Sequence, residues 1–164
     1  MLYRVTASPP AAGTTAPPAG QPLASHTGYL LIKLGEVTLA AAERALAPLS
    51  LRARHFNVMT MIAADVTLSQ QDLSGLLGID PTIMVALIDD LERQGFLRRQ
   101  RSDKDRRRYV LQLTPAGQSA LKQALHAIQE AENELLAPLT REEAGTLHEL
   151  ADRLLASHWP ARHT

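Results

Sequence analysis

Apolar residues recur at spacings of three and four along most of the chain, and at a spacing of two in one short run. These rhythms lay out the elements. Over TGYLLIKLGEVTLAAAERAL, residues 27–46, Leu30, Leu31, Leu34, Val37 and Thr38 form a broad stripe on a predicted helix that Pro48 closes. A second helix is predicted from about Arg52 to Ala64, with Phe56, Met59 and Ile62 at helical spacing. In VTLSQQDLSGLLGIDPTIMVALIDDLERQGFLRR, Ser69 reads as an N-cap with Asp72 in the reciprocal position. Leu73, Leu76 and Leu77 supply the buried face, and Gly78 ends the helix. Asp80 caps the next helix, and Pro81 takes its first position, where a missing N–H costs nothing. Ile83, Leu87 and Leu91 are the expected buried stripe, and Gly95 is the stop. Two short helices joined by Gly-Ile-Asp predict a helix-turn-helix.

Beyond Gly95 the period changes. FLRRQR and RYVLQLT read as two strands, with Tyr109, Leu111 and Leu113 on one apolar face and SDKDRR as the hairpin loop. Thr114-Pro115 then caps and starts a long helix that runs through Leu121, Leu125 and Ile128 to about Leu136, where Pro138 breaks it. Thr140 and Glu143 form a capping box for a last helix whose Leu147, Leu150 and Leu154 follow the three-then-four spacing of a coiled-coil seam. The expected architecture is mainly α with a small β-wing: a winged helix-turn-helix at residues 50–114. Helices at 27–47 and 115–157 form a dimerisation region. Residues 1–24, which hold five of the ten prolines, read as a disordered arm, and 158–164 as a tail that Trp159 anchors.

Composition narrows the chemistry. With 164 residues and 45% of them apolar, the chain can bury a core, and 4% aromatic content leaves that core to Leu, Ala, Ile and Val. The absence of cysteine excludes a disulfide framework, a thiolate zinc site and a thiol switch. The start of the chain lacks the pattern of a secretory signal, and no run approaches 18 apolar residues. The expectation is a cytoplasmic protein that does not enter a membrane.

Lys and Arg total 17, as do Asp and Glu, so net charge is silent, but distribution is not. Between Arg93 and Arg108 eight basic residues stand against two acidic ones, while Glu130, Glu132, Glu134, Glu142, Glu143, Glu149 and Asp152 concentrate acid toward the C-terminus. Such a layout directs one face toward a polyanion. A helix-turn-helix lays its second helix in the DNA major groove, and a basic wing reaches the minor groove or the phosphates. Lys104, Arg106, Arg107 and Arg108 would neutralise phosphates, with Asp105 holding Arg107 in a fixed rotamer. Thr82, Met84 and Val85 would touch thymine methyls. Asp80 and Ser69 would lie near phosphates or bases, and Ser69, Gln70, Thr82 and Arg93 would position the backbone. The apolar stripes of the first and last two helices exceed what a winged helix can cover. A homodimer follows, matching half-sites about 10 base pairs apart.

The segments LSQQDLSGLLGIDPTIMVALIDDLERQGFLRR and DKDRRRYVLQLTPAG resemble the core of the MarR family of bacterial transcriptional regulators, with a looser likeness over residues 28–156. The D-x-R of the wing, Asp105 and Arg107, and the LTPAG helix start carry it most specifically. The resemblance implies a winged-helix homodimer on a pseudo-palindromic operator, usually repressing. Small phenolic or other apolar-anionic effectors would enter a crevice between the dimer helices and the winged helix. Lys33, Arg52, His55, Phe56 and Met59 are the residues of this chain that fall near that expected crevice, although a lone His or Met on a helix more often packs in the core.

Other chemistries find little purchase. His126 with Glu130 and His148 with Asp152 sit four apart, yet such pairs are common by chance on polar helices, and no metal or other cofactor is expected. No Gly-rich phosphate loop, G-x-S-x-G or H-E-x-x-H occurs, so an enzyme is not expected. The competing reading is a winged helix used for protein contact, which would have no use for a basic wing tip.

Overall fold

The structure, a computed structural model, describes residues 23–101 and 109–158. In chain order the helices are α1 (Thr27–Leu46), α2 (Ala53–Ala64), α3 (Gln70–Leu77) and α4 (Pro81–Arg93). The strands β1 (Leu97–Arg101) and β2 (Tyr109–Leu113) follow, then α5 (Pro115–Leu136) and α6 (Arg141–His158). Short 3-10 turns at Leu23–Ser25 and Ala47–Leu49 flank α1, the second containing Pro48.

Contacts divide the chain into Met1–Leu34 and Gly35–Thr164. In the first unit α1 begins with Leu30, Leu31 and Leu34 exposed, and the Lys33 ammonium lies 5.9 Å from the centre of the Tyr29 ring. The second unit holds the core. Leu46, Leu51, Val58, Met59 and Ile62 pack with Leu73, Met84, Ile88 and Leu91, and with Leu97, Leu111, Leu121 and Ala124. Each large side chain so buried stabilises the fold by roughly 1.5–3 kcal/mol.

Local signals set the boundaries. The Ser69 hydroxyl accepts from the Asp72 amide at 3.3 Å while the Asp72 carboxylate accepts from the Ser69 amide at 2.9 Å, and Gly78 closes α3 in the left-handed region at φ 61°. Thr140 and Glu143 repeat the exchange at the start of α6, with the Thr140 amide donating to Glu143 at 2.8 Å.

The antiparallel strands pair Leu97 with Leu113, Arg99 with Leu111 and Arg101 with Tyr109. Leu97 and Leu111 face the core, but Tyr109, expected on the same apolar face, is exposed because it stands opposite Arg101 at the loop end of the hairpin, past the last core layer. The hairpin is held to α5 at its base. The Thr114 amide donates to the Phe96 carbonyl at 3.0 Å, the Thr114 hydroxyl donates to the Gly95 carbonyl at 2.6 Å, and that hydroxyl accepts from the Gly117 amide at 3.0 Å. A Cβ on Gly117 would lie 1.9 Å from the Phe96 carbonyl oxygen, so the close approach of α5 requires glycine here.

The expected α4 stripe needs correction. Met84, Ile88 and Leu91 are the buried residues, Leu87 is half-buried and Ile83 faces solvent. The buried arc is centred nearer Met84 and Ile88 than the Ile83–Leu87 row, so Met84 faces inward and Ile83 outward. On α5 and α6 Leu125, Leu150 and Leu154 are exposed within the single chain, and Leu147 is half-buried.

Candidate nucleic-acid interface

The helix-turn-helix is built from caps outward. Asp80 accepts from the amides of Thr82 at 2.8 Å and Ile83 at 3.4 Å, Pro81 follows at the first helical position, and the axes of α3 and α4 turn through 117°. That angle lets α3 brace α4 from behind.

The outward side of α4 carries Thr82, Ile83, Val85 and Ala86 in its first two turns, then Asp89 and Arg93. Met84 cannot join them. It is 0% exposed, against 38% for Ile83 and 39% for Val85, and the expectation that it touches bases fails because its side chain fills the core.

Three carboxylates on α4 would repel DNA if they stood free, and each has an internal cation or donor. Arg99 of β1 bonds through its guanidinium to both Asp89 and Glu92, and its amide donates to Glu92 at 3.2 Å. Burial alone would lower the Arg99 pKa, but the bonds to Asp89 and Glu92 raise it above the usual value, so this side chain remains a cation. Asp90 meets Arg93 at 2.9 Å, the Gln94 side-chain amide at 3.1 Å and His55 Nε2 at 3.2 Å. The basic surplus counted along the sequence is therefore partly internal. Arg93 and Arg99 pair within the fold, Arg98 donates to the Gln112 side chain at 3.0 Å, and Arg101 is exposed at the end of β1.

The other expected DNA contacts are placed as follows. Gln70 opens α3, partly exposed. Ser69 and Asp80 serve as caps, with the Ser69 hydroxyl also donating to Asp72 at 2.6 Å. Lys104, Asp105, Arg106, Arg107 and Arg108 lie outside the described residues, between the ends of β1 and β2. So do Trp159 and the end of the tail, while α6 continues through His158.

The residues expected to bind an effector differ in exposure. Met59 is wholly buried, Phe56 half-buried and Arg52 exposed, and Lys33 belongs to the first unit. His55 is buried with both ring nitrogens engaged. Nδ1 accepts from the Arg52 amide at 3.2 Å, which puts the proton on Nε2, facing Asp90. Burial lowers its pKa, and Arg52 adds to this, while Asp90 and Glu43 oppose it. His126 Nδ1 lies 3.3 Å from Glu130. Among the described residues no group of three His, Asp or Glu side chains converges on a metal position.

Sequence reading missed the Arg99 clamp. Asp89 and Glu92, three apart on a helix that precedes a basic strand, were the signal, but only the packing of β1 on α4 shows which of four nearby arginines answers them.

Residues 51–109, which span α2 through the start of β2, match the sequence model of the MarR family. Over that segment the chain is similar to the MarR family. Among MarR-type proteins it is 34% identical over 99 residues to a regulatory protein for the hcr operon of Thauera aromatica, covering 60% of each chain. The chain thus spans about 60% of that relative's length. Among solved structures, CouR from Rhodococcus jostii bound to p-coumaroyl-CoA superposes with a TM-score of 0.76 at 25% identity, over 88% of this chain and 99% of that one. A mutant MarR from E. coli complexed with operator DNA gives 0.70 at 25% identity, over 78% and 92%.

Proposed function

We propose that this chain is a DNA-binding transcriptional regulator acting as a homodimer on a pseudo-palindromic operator. The reading rests on one arrangement. A capped helix-turn-helix leaves the first two turns of α4 uncovered, neutralises the acids behind them, and adjoins a hairpin whose loop sequence is S-D-K-D-R-R-R. The operator complex of the E. coli relative supports a DNA duplex as the partner. Repression is the simplest sign, since a protein seated on a promoter excludes polymerase.

Lys104, Arg106, Arg107 and Arg108 supply phosphate or minor-groove contacts in this reading, with Gln70 and Thr82 flanking them. The helices at 27–47 and 115–157 pair two copies, covering leucines that a single chain leaves exposed. A small aromatic or anionic effector weakens the complex, a role consistent with the p-coumaroyl-CoA bound to CouR. The protein works in the cytoplasm, where the DNA is. Among the described residues no single helix is long and apolar enough to cross a membrane, and the bent pair that meets the length and composition test is the helix-turn-helix itself.

Selection of duplexes from a random pool by the full chain tests the proposal. Enrichment of a two-fold symmetric sequence retained at near-physiological salt is expected. Equal indifference to all sequences would favour a protein-contact module instead.

A further inference from the structure

The outward face of α4 has an unusual chemistry for a helix presented to DNA. From Pro81 to Ile88 the sequence contains no Arg, Lys, Asn, Gln, Asp or Glu, so no side chain there can form a two-point hydrogen bond with guanine or adenine. Thr82 carries the single hydroxyl. The uncovered groups are methyls: those of Thr82, Ile83, Val85 and Ala86. Ile83 and Val85 have no role in the core, since Met84, Ile88 and Leu91 fill it. Nor can the acids farther along accept freely from cytosine amines, because Asp89 and Glu92 are held by Arg99 and Asp90 by Arg93 and His55.

We infer that α4 reads its site by apolar contact with the C5-methyl groups of pyrimidines in the major groove. This deepens the regulator reading and rests on it. The occupant is double-stranded DNA, on two grounds: the exposed Arg98 and Arg101 on the adjoining strand give the surroundings the complementary charge, and a relative of the same fold is seen on operator DNA. Among base-pair edges in the major groove, the methyl of thymine is the apolar one, and 5-methylcytosine presents the same group. Phosphate contacts set affinity and register, while methyl contacts set sequence.

The test uses the full chain and a duplex selected from a random pool. Each thymine is replaced in turn by deoxyuridine, which keeps the pairing and the O4 acceptor and removes only the methyl. At contacted positions affinity should fall about fourfold per methyl lost, the effect of one buried carbon. Replacing a contacted T·A pair by 5-methylcytosine·G should weaken binding less than replacing it by C·G, if the methyl rather than the thymine is read. Ile83→Ala and Val85→Ala are both surface changes, and each should erase the thymine–deoxyuridine difference at its own position while leaving the salt dependence and thermal unfolding intact. Equal affinity for thymine and deoxyuridine at every position would overturn this inference and leave DNA binding standing. Failure to retain any duplex would overturn the regulator reading and this one with it.

Discussion

His55 on α2 and Asp90 on α4 meet at 3.2 Å, and the other nitrogen of the same imidazole accepts from the backbone at the start of α2. One buried ring therefore ties α2, which lines the core, to α4, the second helix of the helix-turn-helix. Because the proton belongs on Nε2, adding a second one removes the Nδ1 acceptor. Burial lowers the pKa of His55 in the folded chain, so between that value and the unfolded value of about 6.5 the unfolded state binds more protons. Stability from this group is fully present above about pH 6.5 and is lost as pH falls through the lowered folded value. Chemical unfolding at pH 7.5 and 5.5 should show a smaller loss in His55→Gln than in the native chain. An equal loss in both would remove His55 from the account. His55→Ala should cost roughly 1–3 kcal/mol at neutral pH, since it leaves buried partners unsatisfied.

Gly117→Ala is expected to destabilise by about 3 kcal/mol, the upper end of what an added methyl costs in a packed site, because the obstacle is the Phe96 backbone carbonyl rather than a mobile side chain. Thermal unfolding of the variant measures it. A cost below about 0.5 kcal/mol would mean that α5 does not approach the hairpin as closely as described.

Adjacent positions on α4 should behave oppositely. Met84→Ala removes a wholly buried side chain and should cost about 2–5 kcal/mol, whereas Ile83→Ala should cost well under about 1 kcal/mol. Paired denaturant titrations decide the facing of the helix, and a reversed order would restore the Ile83–Leu87–Leu91 stripe.

Self-association should depend on the exposed leucines of α6. Sedimentation at micromolar concentration should give a dimer for the native chain, and Leu154→Glu should weaken it by about tenfold or more, as expected when a charge replaces an apolar group at the centre of an interface. Unchanged helicity in the variant, read by circular dichroism, separates this from unfolding. A native chain that sediments as a monomer would contradict the proposed dimer.

What was legible in the sequence follows from range. The caps at Ser69 and Asp72, Asp80 and Pro81, Thr114 and Pro115, and Thr140 and Glu143 act over three residues or fewer, and each stands where its local pattern puts it. The facing of α4 was not legible, because its first two turns are apolar on both sides and spacing alone cannot say which side the core takes. Charge counting misled for a related reason. Arg99 reads as one more cation of the wing, and only the packing of β1 on α4 shows it pairing with Asp89 and Glu92. His55 likewise reads as an effector contact until its two nitrogens are seen to be engaged within the fold.

The salt dependence of binding to a selected duplex tests most directly whether the basic hairpin and α4 together grip DNA. The logarithm of affinity should fall linearly with the logarithm of salt for the native chain, and Arg107→Ala should reduce that slope by about 0.9, the share of one phosphate contact. A slope that Arg107→Ala leaves unchanged, or a native chain whose binding is insensitive to salt, would contradict it.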